Sequence, residues 1–180
     1  MPYTVTHVLS AIILIELFRQ YCVRKGARFP RYYILIAAVA GILPDLDYVI
    51  FYALYPFGFT IAQIHRTFLH TIFVPLILFL IGVFIWRFDL KSAEISRRHM
   101  ALPAIFFILS AGSLLHLVLD ALIVGKVVPF YPFNLTAVGL DLIKYLPKAF
   151  RDSALISLDT LMLFIWLFWM EFKLKIRDYF

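Results

Sequence analysis

Cysteine occurs once in the 180 residues, at Cys22. That excludes an intramolecular disulfide and any zinc site built on clustered thiolates. Polar sequence is scarce too: 63% of the chain is apolar and 18% aromatic, well above an ordinary soluble domain. Too little is left over for a separate soluble domain, so residues 1–180 read as one integral-membrane domain. No basic arm or DNA-recognition motif accompanies the net charge of +6. The basic residues fall in short clusters between apolar runs, the pattern of topology signals, and no nucleic-acid partner is expected. Internal repeats and low-complexity tails are also lacking.

What is present is a series of apolar runs, over residues 4–22, 32–55, 68–86, 101–124 and 154–172. Several are long enough to cross a bilayer. The expectation is an all-α, polytopic helical bundle of about five transmembrane helices. The first run has no positively charged leader and no convincing small-residue cleavage site, which predicts a retained helix. In the second, Pro44 disfavours helical geometry at Leu43 and removes a backbone donor. A break there lets Asp45 and Asp47 point into a cavity; the alternative is a helix that is merely kinked at Leu43-Pro44. Residues 135–146 have an amphipathic flavour that predicts a short helix lying along the interface.

Basic clusters follow the first, third and fifth runs. Placing these clusters on the cytoplasmic side leaves Arg66, Lys126, Lys144, Lys148 and Arg151 outside. The positive-inside rule then puts the N-terminus out and the C-terminus in. At about 1.5 Å per helical residue, His7, Asp45, His70 and His116 come out roughly 18–25 Å from the inner boundary. In a hydrocarbon core of roughly 30 Å, all four lie in its outer half.

Carboxylates and imidazoles are costly in hydrocarbon and persist mainly where they pair, bind an ion or face a polar cavity. Seven interrupt these runs or edge them: His7, Asp45, Asp47, His65, His70, His116 and Asp120. His116 and Asp120 are four apart and share a helix face, which suits two ligands to one metal or a ligand with its supporting carboxylate. His65 and His70, five apart, fit better with His65 in a loop and His70 in a first helical turn. Four His and three Asp offer nitrogen and oxygen donors without thiolate, which favours zinc, with manganese or iron as alternatives. One tetrahedral ion uses fewer than seven ligands, so one to three ions are expected. A paired-metal centre typically hydrolyses phosphate esters, and Arg66 is placed to clamp a phosphate oxygen.

Thr6-His7, Gly41-x-x-Pro44-Asp45-x-Asp47, His65-Arg66-x-x-x-His70 and Ser113-x-x-His116-x-x-x-Asp120, followed by a Pro-Phe segment, resemble the membrane-bound metal-dependent hydrolases. That family includes the LexA-regulated inner-membrane hydrolases of bacteria. It is thought to be distantly similar to zinc-dependent phospholipase C and the single-strand-specific zinc nucleases. The likeness runs over nearly the whole chain and implies phosphoester hydrolysis. Thr67 stands where the family usually has a small residue or Gly after His-Arg, and Phe68 and Leu69 are bulky.

The resulting expectation is a multi-pass protein of the plasma or inner membrane. Its partners are the lipid bilayer and a phospholipid or other amphipathic phosphate ester, met on the extracytoplasmic side. The seven residues hold the metal, Asp45 or Asp47 doubles as general base, and Arg66 stabilises the oxyanion. Two other classes use the same residues: a metal-ion transporter, and a non-catalytic scaffold with a structural ion. Outside the site, Glu16 is expected to pair with Arg19 or a neighbouring helix. His99 reads as a solvated loop residue, and Asp159 as either a supporting partner of the site or a structural hydrogen-bond acceptor.

Overall fold

The computed structural model describes residues 4–23, 29–65, 67–88, 94–95, 100–123, 125 and 127–174. It is almost wholly helical. The helices are α1 (Thr4–Tyr21), α2 (Tyr33–Ile42), α3 (Asp47–Leu54), α4 (Ile61–Ile64), α5 (Phe73–Arg87), α6 (Leu102–Ile123) and α7 (Lys148–Leu174). A two-residue antiparallel pairing of 94–95 with 100–101 precedes α6. Three segments are long and apolar enough to cross a membrane: Tyr33–Phe57, Leu102–Ile123 and Lys148–Phe172. With α1 and α5 they make the five long helical segments of the bundle. The fifteen-residue α5 is shorter than the apolar run that predicted it, because residues 68–72 are spent on a turn that carries His70.

α1, α2 and α6 form a central trio; α5 packs on α6, and α7 on α1. The trio closes on small residues, as membrane helices do when backbones approach without a hydrophobic driving force. A Cβ on Gly41 would stand 2.6 Å from the His7 carbonyl oxygen, so α2 can meet α1 only as glycine. A Cβ on Gly112 would run into Ala40 in the same way, which seats α6 against α2. At the far end of the trio Ile15, Tyr33, Ala37 and Ile108 form an apolar core, flanked by Phe29, Ile36, Ala104 and Ile105. Glu16 pairs with Arg19 at 2.8 Å on the rim of that end, as the sequence predicts.

The expected interfacial helix over 135–146 does not form. Val127 and Val138 exchange backbone hydrogen bonds at 2.9 and 2.8 Å, and the Leu140 N–H donates to the Ala121 carbonyl at 2.8 Å. Those bonds hold the stretch extended against the end of α6, leaving one 3-10 turn at Leu142–Tyr145. Phe133 and Tyr145 are largely exposed at this stretch, as are Tyr52 on α3 and Tyr55 and Phe57 just after it. They suit an aromatic belt at a membrane interface.

Candidate metal centre

Each of the seven residues is placed by a local device. His7 lies in the first turns of α1. Pro44 turns the chain through a 3-10 segment, Leu43–Leu46, which carries Asp45 and delivers Asp47 as the first residue of α3. Gly58, at a φ of 85°, ends the following 3-10 turn. Thr60 and Gln63 then form a capping box that nucleates the single turn of α4. That turn stops at His65, whose backbone is extended (ψ 136°). His70 lies in the turn just before α5, not in its first helical turn. The Ile72 N–H donates to the Pro129 carbonyl at 2.9 Å and ties this turn to the segment after α6. His116 and Asp120 share one face of α6.

The structure brings all seven together. His7, Asp47, His70, His116 and Asp120 are each at most 1% exposed, and they rank among the largest fully buried side chains in the protein. Ordinary cores place aliphatic residues there. The side chains of Asp45 and His65 retain 12% and 13% exposure, so the cluster opens on their side. Arg66 and His99 lie outside the described residues.

The distances fall into two classes. His70 Nε2 is 3.5 Å from Asp45 Oδ1 and 3.7 Å from Asp120 Oδ2. His116 Nε2 is 3.6 Å from Asp45 Oδ1 and 3.8 Å from Asp120 Oδ2. These gaps are too long for hydrogen bonds, which need about 2.7–3.2 Å. They are close to the edge of a tetrahedron whose metal–ligand bonds are about 2.0–2.2 Å, an edge of about 3.3–3.6 Å. His70 Nε2, His116 Nε2 and Asp45 Oδ1 are enclosed and make no hydrogen bond among the described residues. Buried polar atoms left so are rare unless something else satisfies them.

The second class has hydrogen-bond length. His65 Nδ1 lies 3.0 Å from both Asp47 oxygens. His70 Nδ1 lies 3.1 Å from Asp47 Oδ2, a charge contact off the line of a good hydrogen bond. His116 Nδ1 donates to the Gly41 carbonyl at 2.7 Å. That bond places the His116 proton on Nδ1 and turns the Nε2 lone pair toward the carboxylates, the way outer partners set the tautomer of a metal-binding histidine. On the other flank His7 stacks on His116 with ring centroids 3.8 Å apart, and its Nε2 is 3.3 Å from Asp120 Oδ1.

Three overlapping groups therefore have metal-ligand spacing: His7 with His116 and Asp120, Asp45 with His70 and His116, and Asp47 with His65 and His70. The donor set is nitrogen and oxygen only, and the enclosed lone pairs fit a divalent cation of the zinc type. One partner was not visible as a site component in the sequence: the Gly41 carbonyl, although Gly41 opens the Pro-Asp motif. Asp159, for which the sequence left a supporting and a structural role open, accepts from Thr6 beside His7.

Fold and cluster together define a polytopic helical membrane protein with a buried histidine–aspartate centre. Residues 1–175 match the family model described as YdjM inner membrane protein, and the chain belongs to that family. Neither a curated protein nor a solved structure matches it.

Proposed function

We propose that this protein is a metal-dependent hydrolase of phosphate esters, acting on a phospholipid or another amphipathic substrate from within the membrane. One observation carries the metal: two imidazole and two carboxylate donors stand 3.5–3.8 Å apart, too far for hydrogen bonds and right for ligands of one ion. In this reading His70, His116, Asp45 and Asp120 hold a divalent ion, with zinc preferred and manganese or iron as alternatives. His7 borders the set beside Asp120. Asp47 orients His70 and His65 from outside. When bound, the ion supplies Lewis-acid polarisation of a phosphoryl oxygen and acidifies water.

The remaining work falls to the chain's own groups. The His65–Asp47 pair sits at the open side of the cluster, where an imidazole held through Nδ1 is positioned to move protons to and from a reacting oxygen. Asp45, also at the opening, is the donor best placed to yield to substrate. Arg66, next to His65 in sequence, supplies a guanidinium fork for the phosphate. The exposed aromatics Tyr52, Tyr55 and Phe57, which follow Asp47 in the chain, favour a substrate with an acyl or other apolar portion.

A second reading has support from the same geometry. If all four protein donors bound one ion, they would leave it no open position, which is how structural ions are held. The two readings part on exchange: a structural ion melts the bundle when chelated, whereas a catalytic ion leaves with the fold intact. Transport fits less well, because the far end of the trio is packed with Ile15, Tyr33, Ala37 and Ile108. The test is turnover of phosphatase and phospholipase substrates by purified protein. Asp45→Asn and His116→Ala are expected to reduce it to background, and unchanged turnover in both variants removes the hydrolase reading.

A further inference from the structure

α7 is the least buried of the three candidate membrane spans. Only 6% of its apolar window is buried, and Leu155 is its one buried hydrophobic residue among the described residues. It nevertheless carries a carboxylate, Asp159, within the span, where such a group is costly unless it is used. Asp159 Oδ1 accepts from the Thr6 backbone N–H at 3.0 Å and also from the Thr6 hydroxyl. The Thr6 N–H belongs to the first turn of α1, whose amide donors have no partner inside the helix. A carboxylate there also complements the positive end of the helix dipole.

Thr6 is 1% exposed and directly precedes His7. His7 itself is also met by α2, where Gly41 abuts its carbonyl. α1 is thus fixed in rotation at His7 by two neighbours: α2 through close packing and α7 through one side-chain acceptor. His7 must be held there to stack on His116 and to stand 3.3 Å from Asp120.

We infer that Asp159 is a positioning residue of the metal centre, bracing His7 through Thr6 and making α7 a structural arm of the site. The inference rests on the metal reading above. It predicts that Asp159→Ala weakens metal affinity by about 10–100-fold, the usual cost of losing an outer partner, while saturating zinc still fills the site. Asp159→Asn keeps the Oδ1 acceptor and is expected to restore most of the affinity. The effect must pass through His7, so in a His7→Ala background Asp159→Ala is expected to change affinity no further. Thr6→Val removes only the hydroxyl donor and gives the same cycle without disturbing α7.

The measurement is zinc titration of the purified full-length protein in detergent, for wild type, the single variants and the doubles with His7→Ala. Loss of affinity that vanishes in the His7→Ala background supports the inference. Unchanged affinity in both Asp159→Ala and Thr6→Val overturns it and leaves the metal site standing. So does an equal loss in both backgrounds. Failure of the wild type to bind zinc overturns both.

Discussion

At one end of the α1/α2/α6 trio, Ile15, Tyr33, Ala37 and Ile108 pack as an ordinary apolar core. At the other, the same three helices bury His7, His116 and Asp120 to 1% exposure or less, with Asp47 and His70 brought in beside them. The apolar end gains stability from packing, and its side chains are roughly interchangeable by volume. The polar end cannot be explained in that way. Burying imidazoles and carboxylates costs folding free energy unless something satisfies them, and His70 Nε2, His116 Nε2 and Asp45 Oδ1 stand too far apart to satisfy one another. A cation at the centre resolves that imbalance, because it gives the enclosed lone pairs of His70, His116 and Asp45 a bond. The contrast teaches that the trio is a scaffold at one end and a binding site at the other.

The contrast can be broken at either end. Ile108→Ala leaves a cavity in the apolar core and is expected to lower stability by about 2–5 kcal/mol, read from thermal unfolding in detergent. Metal content is expected to stay unchanged. A loss of metal would mean that the two ends are one cooperative unit. Asp47→Asn sharpens the contrast within the polar end. If Asp47 orients His70 and His65 and does not ligate, the variant keeps full occupancy at saturating metal, and its affinity falls only about 10–100-fold. Complete loss of the ion would instead make Asp47 a ligand.

Much of this was legible in the sequence, for identifiable reasons. Apolar runs gave the helical membrane class because backbone groups in lipid must be satisfied within each segment. Pro44 marked the turn that delivers Asp45 and Asp47, since proline cannot continue the ladder through Leu43. His116 and Asp120 declared a shared face by their spacing. Other parts depended on contacts distant in sequence. Nothing local to Asp159 points to Thr6, 153 residues away. The Gly41 carbonyl that sets the His116 tautomer is a backbone group with no sequence signature. The stretch over 135–146 has helix-like periodicity, yet its backbone pairs with Val127 and Ala121, and tertiary hydrogen bonds override local preference there. Sequence also could not sort ligands from supporting carboxylates, because Asp45 and Asp47 look alike until distances separate them.

The account turns on the ion. The most direct test is elemental analysis of detergent-purified protein, comparing wild type with a His70→Ala/His116→Ala double variant. The account predicts at least one zinc, manganese or iron ion per wild-type chain and none in the variant, with helical content retained in both. Wild-type protein that folds and still holds no metal after reconstitution would contradict it, and would return the seven side chains to a hydrogen-bonded polar core.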